Sequence, residues 1–68
     1  MNEENFNMSI RKFLKMTGVG SQREIEQAVA KAVSSGRIKG SEKLPVKMTL
    51  SIPAIGLTET FDGEIVLE

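Results

Sequence analysis

The chain has no cysteine, no histidine, no tryptophan and no tyrosine. Lacking cysteine, it has neither a disulfide staple nor a thiolate to ligate a metal or attack a substrate. Lacking histidine, it has lost the commonest general base and a favoured zinc ligand. Carboxylates and lysines could still catalyse, but they need a concave pocket to shift their pKa values, and 68 residues leave little interior for one. No apolar run approaches the roughly 20 residues of a membrane span. The N-terminus is polar and acidic, unlike a secretory leader. These absences point to a soluble cytoplasmic protein that is not an enzyme, holds no cofactor or metal, and does not engage a membrane.

The 40% apolar content is ordinary for a folded chain and argues against wholesale disorder. The size suits one domain, residues 1–68, whose core only just offsets chain entropy. Nine basic and nine acidic residues cancel in sum but are spread unevenly. All nine basic residues fall between residues 10 and 47, where only Glu24, Glu26 and Glu42 oppose them.

Two helices are predicted first, over 3–17 and 22–35. Phe6, Ile10, Phe13 and Leu14 follow the 3.6-residue period, with Asn2 as N-cap and Glu3 and Glu4 in the first turn, where negative charge suits the helix dipole. Gly18-Val19-Gly20 reads as a stop. Ser21 with Glu24 reads as a capping box opening a second helix, whose stripe is Ile25, Ala28, Val29, Ala32 and Val33 and whose C-terminal stop is Gly36.

The period then changes from 3.6 to 2. Val46, Met48, Leu50 and Ile52 alternate with Lys47, Thr49 and Ser51, which predicts a strand over 44–52 and a partner over 57–67. Asp62-Gly63 is the stronger local turn signal, but a reversal there would mix the two faces. A loop at Pro53-Ala54-Ile55-Gly56 instead pairs Ile52 with Leu57, Met48 with Phe61 and Leu44 with Ile65, all on one face. Gly63 then lies within a strand as a bulge or close-contact point. Lys47 falls opposite Asp62, and Glu59 opposite Leu50, where it is expected to be exposed. The predicted fold is α+β in the order α-α-β-β: two N-terminal amphipathic helices packed on one face of a C-terminal antiparallel β-hairpin.

The run Phe6-Asn7-Met8-Ser9-Ile10-Arg11-Lys12-Phe13-Leu14-Lys15, continuing through Gly18-Val19 to Ser21-Gln22-Arg23-Glu24-Ile25-Glu26, resembles a family of short uncharacterised bacterial proteins. Leu44-Pro45, Lys47-Met48-Thr49-Leu50 and Asp62-Gly63-Glu64-Ile65 are similar to it too, so the resemblance covers most of the chain. It implies a bacterial, cytoplasmic protein and a domain complete in itself. It carries over no catalytic or binding residue.

Two surfaces emerge as candidates. A two-stranded sheet leaves both edges open, and Val46, Lys47, Met48, Thr49, Leu50, Ser51 and Ile52, lying between Pro45 and Pro53, form an unblocked segment for strand addition. Helix, turn, helix and hairpin is also the outline of a helix-turn-helix with a wing. Gln22, Arg23, Gln27 and Lys31 would then face bases, with Arg37 and Lys39 on phosphate. Against this stand Glu24 and Glu26 in the proposed recognition helix and a pI near 6.3. No phenylalanine is left over for stacking on bases, since the core pattern claims all three. Arg11, Lys12 and Lys15 could contact an acidic partner or simply form a solvated face. The glycines make no phosphate-binding fingerprint. The leading expectation is a protein-interaction or self-associating domain. The alternative is a weak nucleic-acid-binding accessory protein.

Overall fold

The computed structural model describes all 68 residues. They divide into two compact units, Met1–Arg37 and Ile38–Glu68. The first is one helix, α1, Glu3–Ser34. The second is an antiparallel hairpin of β1, Lys43–Ile52, and β2, Leu57–Val66, joined by a 3-10 turn at Pro53–Ile55. The class is α+β, but the two predicted helices are one, so the two-helix cover over the hairpin does not exist.

Both ends of α1 are fixed by the residues the sequence marks. Asn2 is extended and its side-chain oxygen accepts the Asn5 backbone N–H at 3.0 Å. At the other end Gly36 takes φ 77°. The Gly36 N–H donates to the Val33 carbonyl at 3.1 Å and the Arg37 N–H to the Ala32 carbonyl at 2.8 Å. This paired pattern is the Schellman closure, which needs a left-handed residue that glycine supplies without a Cβ penalty.

The expected stop at Gly18-Val19-Gly20 fails for a physical reason. Glycine ends a helix by turning left-handed, as Gly36 does; Gly18 and Gly20 do not. In a right-handed conformation each costs only about 1 kcal/mol relative to alanine. A break would instead orphan four carbonyls and four N–H groups. One helical face also runs straight through, apolar at both ends with Thr17 and Ser21 in the middle. Phe6, Ile10, Leu14, Thr17, Ser21, Ile25, Ala28 and Ala32 are spaced 4-4-3-4-4-3-4, which keeps them within an arc of roughly 100°. Ser21 and Glu24 are interior helix positions rather than a capping box.

The hairpin follows the phase argument. Its register pairs Ile52 with Leu57, Met48 with Phe61 and Leu44 with Ile65, and places Lys47 opposite Asp62. Gly56 is left-handed at φ 67°, and its N–H donates to the Pro53 carbonyl at 3.1 Å. Gly63 is paired in register with Val46 and is not a bulge; a Cβ there would meet Val46 Cγ1 at 3.4 Å. The period of 2 sorts Leu44, Val46, Met48, Leu50, Ile52, Leu57, Phe61 and Ile65 onto one face together with Glu59, and Thr, Ser and the other charged residues onto the opposite face.

Candidate interaction surfaces

The open edge of β1 takes its geometry from one hydrogen bond. Leu67 donates its backbone N–H to the Glu42 carbonyl at 3.3 Å, just beyond the last strand pair, Lys43 with Val66. Antiparallel ladders alternate between hydrogen-bonded and non-hydrogen-bonded pairs. Counting from Glu42, the residues Leu44, Val46, Met48, Leu50 and Ile52 bond to β2. Lys47, Thr49 and Ser51 turn their N–H groups outward, and so does the position of Pro45, which has none to offer. Pro45 therefore costs the ladder nothing. Of the segment Val46 to Ile52 named from sequence, three residues present free donors: Lys47, Thr49 and Ser51.

The apolar face of the hairpin is incompletely covered. Leu44, Val46, Leu50, Leu57 and Ile65 are half-buried, while Met48, Ile52 and Phe61 are exposed. Glu59 is exposed, as expected. Helix α1 has an apolar stripe of the same character. Phe6, Ile10, Phe13 and Leu14 are exposed, with Leu14 at 57%, and Ile25, Val29 and Ala32 are half-buried. A second face of α1 carries Lys12, Lys15 and Arg23 around Met16, Val19 and Gly20, forming a shallow open depression. Lys12 and Lys15 of the basic cluster named from sequence thus sit beside apolar side chains. The residues lining that depression include no carboxylate to serve as an acid or base.

The nucleic-acid reading loses its geometry. Gln22, Arg23, Gln27 and Lys31 lie within α1, with no turn before them, so there is no separate recognition helix to enter a groove. Arg37 follows the helix end, where its N–H closes the Schellman pattern. Lys39 lies in the hairpin unit, and its backbone N–H is taken by Glu42.

The last of these belongs to a feature that no periodicity or motif in the sequence marks. The Glu42 carboxylate accepts three successive backbone N–H groups: Lys39 at 2.7 Å, Gly40 at 2.8 Å and Ser41 at 3.1 Å. Gly40, at φ 101°, turns the chain so that these donors converge as an anion-binding nest. The Lys39 bond, then the Gly40 bond, hold the Glu42 carboxyl below the ordinary glutamate value, against a smaller opposing effect of desolvation. A glycine two residues before a glutamate, straight before a strand, is the signal that could have revealed it.

No group of acidic side chains is clustered closely enough to hold a metal ion, and no helix is long and apolar enough to cross a membrane. What the geometry defines is a class: a small α+β chain whose helix and hairpin each present an apolar face and whose sheet has an open edge. The chain belongs to a family of unknown function, DUF6494, whose model matches residues 1–68, its whole length. No curated protein and no solved structure matches it.

Proposed function

We propose that this is a non-enzymatic interaction domain that completes its hydrophobic core by docking on another polypeptide. The observation that supports this reading most directly is burial. Taken by itself, neither the helix nor the hairpin buries a single side chain, yet Phe6, Phe13, Met48 and Phe61 all lie on patterned apolar faces. An isolated helix is marginal in water even when well formed, and an isolated two-stranded hairpin is marginal at best. Patterned apolar faces of this extent mark an interaction site on a folded protein. The open edge of β1 adds a second means of engagement, because Lys47, Thr49 and Ser51 can extend the ladder to an incoming strand.

The test is native-state amide exchange on the full chain at increasing protein concentration. Weak protection of the α1 and β1 amides at high dilution, rising as the protein associates, supports the reading. Full protection in a dilute monomer contradicts it, since the monomer would then be stable without a partner.

A further inference from the structure

Resting on that reading, we infer that the polypeptide covering the apolar stripe of α1 is a second copy of the same chain, paired antiparallel about a two-fold axis near residue 19. The stripe is close to palindromic about that point. Reversing one helix on another places Phe6 opposite Ala32, Ile10 opposite Ala28, Leu14 beside Ile25 and Thr17 opposite Ser21. At the two outer levels a large residue thus meets a small one, while Leu14 and Ile25 meet nearer the centre on either side of the small Thr17 and Ser21. Such alternation lets two helices interdigitate at interior density. A parallel pair would set Phe6 on Phe6 and Ala28 on Ala28, crowding one end and leaving a gap at the other.

Charge at the helix ends favours the same direction. Glu3 and Glu4 open the helix, whereas Lys31 lies in its last turn. In the antiparallel arrangement the acidic start lies toward Lys31 of the other copy, while Lys12, Lys15 and Arg23, on the second face, lie away from the seam. In the parallel arrangement the acidic starts meet each other, and the two helix dipoles also align unfavourably. The 4-4-3 spacing averages close to 3.67 residues per turn, so the seam follows a nearly straight or slightly right-handed path. From Phe6 to Ala32 it runs about 40 Å at about 1.5 Å per residue. That is long enough for the roughly 800 Å² per partner of an interface of ordinary size. Self-pairing by one patch is isologous and closes at two copies.

The experiment combines mass, direction and compensation. Sedimentation equilibrium of the full chain should give twice the 7.5 kDa monomer mass. Because the chain has no cysteine, Met1→Cys accepts a single nitroxide label. Electron–electron distance measurement should then find the two labels roughly 50 Å apart, set by helix length, whereas a parallel pair would hold them within roughly 20 Å. Ile10→Ala and Ala28→Ile should each weaken the dimer about tenfold or more, by leaving a gap or overfilling one. The double variant exchanges the two sizes across the seam and should restore the dimer to within about threefold. Circular dichroism of each variant separates lost pairing from lost helix. A short label distance, or a double variant weaker than either single one, overturns the proposal. A monomer with a shallow, non-cooperative melt overturns the second copy as partner while leaving the interaction reading standing. A monomer with a sharp, concentration-independent melt overturns both.

Discussion

Met48 stands directly opposite Phe61 on the apolar face of the hairpin, and the two side chains remain 47% and 61% exposed. A cross-strand pair in that state contributes only about 0.2–1 kcal/mol. Phe61→Ala should therefore shift the stability of the dilute chain by less than about 1 kcal/mol, rather than the 3–5 kcal/mol typical of a core phenylalanine. If the face is covered on association, the loss grows with concentration. Thermal melts of the two proteins at both ends of a hundredfold concentration range provide the check. A loss of several kcal/mol at the dilute end would mean that the ring is already core.

Gly18 and Gly20 are interior helix residues, and a Cβ at either would meet nothing within 4 Å. Gly18→Ala and Gly20→Ala should each stabilise α1 by up to about 1 kcal/mol. Far-ultraviolet circular dichroism should show more helix and a higher midpoint. A drop in helix content would restore the discarded turn at these positions.

The hairpin glycines should respond in opposite directions. Gly56 holds φ 67°, so Gly56→Ala forces a left-handed alanine at a cost of about 1–2 kcal/mol. Gly63 has no such φ, and the new Cβ would sit at ordinary contact distance from Val46. Gly63→Ala should leave the hairpin unchanged or more stable by roughly 0.5–1 kcal/mol. Cross-strand NOE intensities between Met48 and Phe61 would report both.

Acidification should open the nest at Glu42. Its pKa is lowered in the folded chain, so its contribution is present above the unfolded pKa and disappears as pH falls through the folded one. The amide resonances of Lys39, Gly40 and Ser41 should move together below the ordinary glutamate range. Glu42→Gln should remove that transition and speed exchange at the same three amides. Titration at the ordinary glutamate value would show that the three hydrogen bonds do not favour the charged form.

Much of the hairpin was legible in sequence because a period of 2 leaves one register that keeps Leu44, Met48, Phe61 and Ile65 on one side. The helix ends were legible for a similar reason: Asn2 and Gly36 are residue types with specific capping chemistry. The middle of the helix was not. Whether glycine stops a helix depends on its taking a left-handed φ, which composition does not reveal. Ser21 and Glu24 satisfy the spacing of a capping box but equally that of adjacent helical turns. Among the candidate surfaces, the β1 segment was legible as a strand between two prolines. Which of its residues face outward became clear only from the bond between Leu67 and Glu42. The stripe from Phe6 to Ala32 was read as two halves, because the false break hid its symmetry.

The most direct test of the account is amide exchange, read residue by residue, on the full chain across a hundredfold concentration range. Association stabilises the folded state by mass action, so protection of the amides along α1 and β1 should rise with concentration. The largest gain should fall on α1 between Phe6 and Ala32, with Lys47, Thr49 and Ser51 following only if the strand edge is also engaged. Strong protection that is the same at every concentration, in a chain that sediments as a monomer, would contradict the claim that this protein completes its core by binding another polypeptide.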